Sequence, residues 1–229
     1  MQVVVLGTGY VGLVSGVCLA AKGHNVTCVD LNPSIVENLN NGHPHIHERD
    51  LPELLAEVIA AGRFRATTEL ESALDHAEIV IVAVGTPSTD GVIDLRYVLE
   101  AIGQVGRWLS NAKRFLPVII KSTVVPGTTD GAVLNRLRQE SCLSLGDFGL
   151  GMNPEFLREG EAVDDFMNPD RIVLGHEDEA TLHALQALYQ PWECEKLAVS
   201  TRTAEMIKYA NNAILAVQIS AMNELANVA

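Results

Sequence analysis

The sequence predicts an α/β fold: a doubly wound parallel sheet over residues 1–200, followed by the start of a long connecting helix over residues 201–229. Compact, β-branched apolar runs recur along the chain with helical patterns between them. The runs are continuously apolar rather than alternating, as strands covered by helices on both faces must be. The last stretch holds neither Gly nor Pro and keeps its apolar residues three and four apart, which is the spacing of one helical face.

Taken in order, Val3 to Leu6 form the first strand, and the glycines after it open a small-residue apolar helix that runs to Lys22-Gly23. "HNVTCVD" (24–30) is the second strand. "PSIVENLNNG" reads as a helix with Pro33 in its first turn, where the missing N–H costs nothing, and Gly42 past its end. "EIVIVAV" (78–84), "PVIIKST" (117–123) and "RIVLG" (171–175) have buried-strand length, and "DLRYVLEAIGQVGRWL" and "TTDGAVLNRLRQE" among them are helical. In the final helix Met206, Ala210, Ile214, Val217, Ala221, Leu225 and Val228 make the apolar stripe. No capping residue precedes Ala229, so the natural chain is expected to continue.

Apolar content of 48% with 20% charged residues suits a globular chain with a sizeable core. The net charge is −13 with an acidic excess in both halves, which leaves no basic footprint for nucleic acid or an anionic membrane; neither is an expected partner. No apolar run is long enough to cross a bilayer, and "MQVVVLGTGYVG" lacks the basic region of a signal peptide. Cys18, Cys28, Cys142 and Cys194 are scattered without C-x-x-C spacing, which reads as reduced thiols in a cytoplasmic protein. His43, His45 and His47 alternate in a polar loop without a nearby Cys or acid pair, so no metal site is expected.

Gly7, Gly9 and Gly12 form G-x-G-x-x-G directly after the first strand and open a helix; a second strand then ends in Asp30. Each glycine has a mechanical use: Gly7 for the tight turn, Gly9 for close backbone approach to a pyrophosphate, Gly12 for close helix–strand packing. The helix N-terminus, at Tyr10 and Val11, presents free N–H groups to phosphate oxygens. Asp30 accepts from a ribose diol and repels a 2′-phosphate, so the expected cofactor of this Rossmann-like domain is NAD rather than NADP. "VGTPS" (84–88, with Thr86) and "KSTVVPGTT" (121–129, with Thr123) place hydroxyl residues and glycines at the carboxyl ends of two further strands, the edge where ligands of open α/β sheets bind.

With "GTGYVGL", "VDLN", "VGTPS", "STVVPGTT", "NPEFLREG", "NPDRIVLG" and "AEMIKYANNAILA" in this order, the chain resembles the nucleotide-sugar 6-dehydrogenases, those acting on UDP-glucose most of all. The resemblance covers essentially the whole chain. It implies two successive NAD-dependent oxidations at the sugar C6, from alcohol to aldehyde and then, through a cysteine thioester, to carboxylate, for polysaccharide biosynthesis. It implies catalytic roles for Thr123 and Glu155, which hold and activate the hydrolytic water, and for Lys208 and Asn212, which bind the reacting oxygen. It places Glu159 near the cofactor and the backbone near Phe156 and Leu157, with Arg158, against the substrate. It also implies a homodimer formed through residues 201–229.

The residues agree in kind. Lys208 and Asn212, spaced i, i+4, project from one helical face and offer an ammonium and an amide to a developing oxyanion. Glu155 and Glu159 at the same spacing are expected to share a helical face, where one partly buried acid would move towards general-base range. Arg158 between them would tether one of these acids or a phosphate. The acids of "GEAVDDF" read as surface and helix-start residues.

Two features depart from the resemblance. Glu48-Arg49-Asp50 stands where the family usually has a Glu-Pro-Gly turn. None of the four cysteines has the Gly-rich G-G-x-C-x-x-K-D context of the family's nucleophile, which lies beyond the helix, as does the second nucleotide-binding half. The chain by itself is therefore expected to bind NAD without completing the full reaction. The alternatives are a catalytically silent NAD-binding, oligomerising module, or a relative acting on GDP-mannose.

Overall fold

The computed structural model describes residues 1–89 and 91–228; Ala229, the last residue of the predicted helix, lies outside the described residues. In chain order the strands are β1 (Gln2–Leu6), β2 (Asn25–Val29), β3 (Phe64–Thr67), β4 (Ile79–Val82), a short antiparallel pair β5 (Ser88–Thr89) and β6 (Val92–Ile93), β7 (Pro117–Ile120), β8 (Gly149–Met152), β9 (Arg171–His176) and β10 (Glu195–Ser200). The helices are α1 (Tyr10–Ala21), α2 (Pro33–Asn40), α3 (Leu51–Ala60), α4 (Leu70–Leu74), α5 (Arg96–Ala112), α6 (Leu134–Ser141), α7 (Ala162–Met167), α8 (Glu179–Leu188) and α9 (Thr201–Val228). A π-helical turn, Thr129–Val133, leads into α6.

Among the described residues the main sheet has eight strands in the order β10-β9-β8-β7-β4-β1-β2-β3. β1 pairs in parallel with β2 (Val3 opposite Val26) and with β4 (Val3 opposite Ile79). The chain leaves β1 towards one side of the sheet and later returns to its other side, so the carboxyl end of β1 is the point where the strand order reverses and a crevice opens. Alternation along β1 feeds both faces: Val3 and Val5 join a core with Leu13, Val17 and Phe64, while Val4 and Leu6 join another with Ile102, Leu109 and Leu150. Helices cover both faces, as the doubly wound reading expected.

The sheet is mostly rather than wholly parallel, which corrects that reading. β9 runs antiparallel to β8 (Gly151 opposite His176), and β10 is parallel to β9, so the last two strands oppose the rest. The connection explains it. α7, with six residues, spans only about 9 Å at 1.5 Å per residue, too short to carry the chain back across the sheet. β9 therefore starts where β8 ends. An apolar run such as "RIVLG" shows burial but not direction.

α9 has two parts. Thr201, Ala204, Glu205 and Lys208 are buried in its first turns, whereas Ile214, Leu215, Val217, Ile219, Met222, Leu225 and Val228 are exposed. Among the described residues no helix is long and apolar enough to cross a membrane.

Candidate active site

The glycine turn fits a dinucleotide. Gly7 has φ +90°, a left-handed conformation that a side chain would strain, and its N–H donates to the Val29 carbonyl at 2.9 Å. A Cβ at Gly12 would lie 2.0 Å from the Gly7 carbonyl oxygen, so only glycine lets α1 approach the turn. A Cβ at Gly9 would meet nothing within 4 Å. The backbone there faces open space at the N-terminus of α1, the room a pyrophosphate needs. Beside it lies a cleft of about 280 Å³ lined by Gly7, Gly9, Asp30, Val84, Gly85 and Tyr97, among others.

Asp30 is pre-oriented at the end of β2. Its Oδ2 accepts from the Thr8 N–H (3.1 Å) and from the Thr8 hydroxyl, and its Oδ1 accepts from the Asn32 N–H at 2.9 Å. Thr8 is fully buried and was not singled out from the sequence, although a hydroxyl inside the glycine motif is a readable signal. Thr86 and Thr123 come together: the Thr86 hydroxyl donates to the Thr123 carbonyl at 3.0 Å, and the Ser122 hydroxyl to the Val84 carbonyl at 2.6 Å. These bonds lace the loops after β4 and β7 into one rim of the crevice.

A second cleft, of about 420 Å³, opens between the segment after β8 and the first turns of α9. Its lining includes Glu155, Phe156, Leu157, Arg158, Lys208 and Asn212, six of the residues predicted for the site, but neither Thr123 nor Glu159. Lys208 and Glu155 form an ion pair with Nζ 2.7 Å from Oε1. The other oxygen of Glu155 accepts from the Leu157 N–H at 2.6 Å, and Lys208 stands over the Phe156 ring, 5.6 Å from its centre. Asn212, one turn further along α9, is exposed on the same cleft.

The segment 153–158 is irregular, so Glu155 and Glu159 share no helical face, contrary to the sequence expectation. Pro154 and the fixed hydrogen bonds of Asn153 set an extended turn that the i, i+4 spacing could not reveal. Glu159 is exposed, and its charge is one of those that raise the Tyr10 hydroxyl, after burial and the bond to Glu48. Arg158 tethers neither Glu155 nor Glu159. Its guanidinium pairs with Asp165 at 2.6 Å and Glu161 at 2.9 Å. Those acids come from the "GEAVDDF" stretch, which thus braces the loop as well as starting α7.

Several residues of the site were not legible beforehand. Lys121, at the end of β7, is buried, and its Nζ donates to Asn153 Oδ1 at 2.7 Å. Tyr189 donates to the same oxygen at 2.5 Å, and Asn153 Nδ2 donates to the Val173 carbonyl at 2.9 Å. Burial lowers the Lys121 ammonium to about 8; the Glu155 charge opposes that shift and the Lys208 charge adds to it. Glu205, fully buried on α9, accepts from the N–H groups of Gly127 (2.5 Å) and Thr129 (2.7 Å) and so anchors the helix that carries Lys208. A lysine closing an apolar strand was a visible anomaly, but the partners of Glu205 and Tyr189 lie too far away in sequence to be inferred.

Comparison with known proteins identifies this arrangement. Residues 1–193 match the NAD binding domain of the UDP-glucose/GDP-mannose dehydrogenase family, and residues 202–229 match its central domain. The chain belongs to that family. It is 41% identical over its whole length to the UDP-glucose 6-dehydrogenase YwqF of Bacillus subtilis, covering 51% of that protein. It is 36% identical to a GDP-mannose 6-dehydrogenase of Pseudomonas syringae, covering 53%. Among solved structures, a UDP-glucose dehydrogenase from Pyrobaculum islandicum superposes with a TM-score of 0.92 at 44% identity, over 97% of this chain and 51% of that one. A GDP-mannose dehydrogenase from Pseudomonas aeruginosa, in a ternary complex, gives 0.95 at 34%, over 98% and 52%. The chain thus spans about half the length of the relatives it matches and corresponds to their N-terminal portion. The family's NAD-binding domain is the one that carries the glycine turn and Asp30.

Proposed function

We propose that this chain provides the cofactor site and part of the catalytic apparatus of a dehydrogenase that oxidises UDP-glucose at C6 to UDP-glucuronate. The observation that supports this most is the buried Lys208–Glu155 pair, 2.7 Å apart, at the wall of a cleft on the face of the sheet edge where the glycine turn also lies. Bound NAD supplies the hydride acceptor. Gly9, Tyr10 and Val11 hold its pyrophosphate with backbone N–H groups, and Asp30 holds its ribose.

Lys208 and Asn212 donate to the C6 oxygen and stabilise the negative charge that develops there. Glu155, oriented by the Leu157 N–H, and Thr123 hold the water that the later hydrolysis consumes. The backbone near Phe156 and Leu157 meets the nucleotide sugar, and Glu159 lies towards the cofactor side. With its guanidinium engaged by Asp165 and Glu161 and its N–H by Asp165, Arg158 shapes the loop that faces the substrate. None of the four cysteines lines this cleft, and Cys18 and Cys28 are buried, with the Cys18 thiol pushed up to about 12. The second oxidation therefore takes its thiol from outside these residues. The exposed apolar row of α9 supports a homodimer formed along it, and the four free cysteines suit the reducing, cytoplasmic setting proposed for it.

Calorimetric titration of the NAD-loaded chain with UDP-glucose and with GDP-mannose tests the reading. UDP-glucose is expected to bind more tightly, and Lys208→Ala to weaken it. Preference for GDP-mannose would move the chain to the other branch of the family. No binding of either sugar would favour an NAD-binding module that self-associates through α9, the reading that the exposed row of that helix also supports.

A further inference from the structure

The polar loop after α2 holds a carboxylate that the proposed chemistry does not use. Glu48 is 3% exposed, and three donors from two distant segments converge on it. Its Oε2 accepts from the Tyr10 hydroxyl and from the Gly160 N–H at 2.9 Å, and its Oε1 accepts from the Ala162 N–H at 3.0 Å. Burial pushes the Glu48 carboxyl up, but these donors outweigh it and hold the group below the usual carboxylate range. The group is a nearly buried hub of converging donors.

Its donors come from two functional pieces. Tyr10 is the first residue of α1, directly after Gly9 of the glycine turn. Gly160 closes the loop that carries Glu155, and Ala162 begins α7. The Tyr10 hydroxyl also receives the Gly160 N–H at 3.3 Å and lies 3.4 Å from the Arg158 carbonyl. A buried carboxylate that loses donors is left under-satisfied, so each of these bonds strengthens the others.

We infer that Glu48 is a positioning residue that couples the dinucleotide turn to the loop carrying Glu155, so that occupancy of the turn orders the loop. The inference rests on the proposed placement of the NAD pyrophosphate at the N-terminus of α1. A ligand shifts such an equilibrium only through its differential affinity for the two states. The difference arises at Tyr10: its backbone N–H stands ready for the anion when its phenol is locked by Glu48, and Glu48 is satisfied only when Gly160 and Ala162 are in place. Reciprocity then requires that the ordered loop tighten NAD binding by the same factor.

The experiment is amide hydrogen exchange at Gly160 and Ala162, with and without NAD, on the whole chain, alongside calorimetry of NAD binding. In the wild type, NAD is expected to slow exchange at both amides by at least about fivefold, the low end of ordinary coupling. In Glu48→Gln, which replaces an acceptor oxygen by a donor, NAD affinity should fall by a similar factor and the NAD-dependent slowing should vanish. Tyr10→Phe, which leaves Glu48 its amide donors, should exchange near the rate of the free wild type and lose the response to NAD. A purely structural role would speed exchange equally with and without NAD, and that result overturns the inference. So does NAD binding by the wild type without any slowing at these amides. If the wild type binds no NAD, the cofactor reading itself fails and the inference falls with it.

Discussion

Replacing Lys208 by methionine removes one charge from an ion pair whose side chains are only 7% and 11% exposed. At 2.7 Å and an effective dielectric constant of about 20, the lost attraction is about 6 kcal/mol before compensation. Part of it returns, because methionine needs no desolvation and Glu155 keeps the Leu157 N–H at 2.6 Å and the field of Lys121. Breaking a buried pair typically costs about 3–5 kcal/mol, and the remaining partners place this case near about 3 kcal/mol. Urea unfolding followed by the fluorescence of the buried Trp108 and Trp192 measures it, with the midpoint falling and the slope unchanged. The double variant Lys208→Met/Glu155→Leu removes both charges and should recover to within about 1 kcal/mol of the parent. A loss below about 1 kcal/mol for Lys208→Met, the range of a solvated pair, or additive single and double effects, would refute the argument that the pair is shielded from water.

Three further outcomes follow from the geometry. Gly12→Ala sets a Cβ 2.0 Å from the Gly7 carbonyl oxygen, so α1 must retreat from the turn; a loss of about 1–3 kcal/mol and of NAD binding is expected, by urea unfolding and calorimetry. Asp50 has φ +64°; Asp50→Gly relieves a left-handed conformation and should stabilise the protein by about 0.5–1 kcal/mol, seen as a melting temperature about 1–4 °C higher. Lys121, lowered to about 8 from 10.5, binds a proton more weakly in the folded chain than in the unfolded one. Its contribution to stability should therefore rise with pH between those values; Lys121→Met should flatten the rise in urea stability over that window, and an unchanged slope would show that the amine is hydrated.

Much of the architecture was legible because it depends on local patterning. β1, the glycine turn and Asp30 are set by steric rules acting within a few residues, and the positive φ of Gly7 and the crowding at Gly12 follow those rules. Lys208 and Asn212 share a face because a helix fixes the i, i+4 relation. The same spacing misled at Glu155 and Glu159, where no helix forms.

The sequence by itself determined the alternation of strands and helices, the dinucleotide turn and the residue types available for chemistry. Only the tertiary structure decided which of them meet. The direction of β9 depends on how far a six-residue helix can carry the chain. Arg158 turns to Asp165 because α7 folds back beneath it. Glu48 gathers Tyr10, Gly160 and Ala162 across more than a hundred residues of sequence, and Lys121 finds Asn153 on a neighbouring strand end. A buried charge must be satisfied by whatever donors the packing brings near it, and those donors carry no mark in the linear order of the chain.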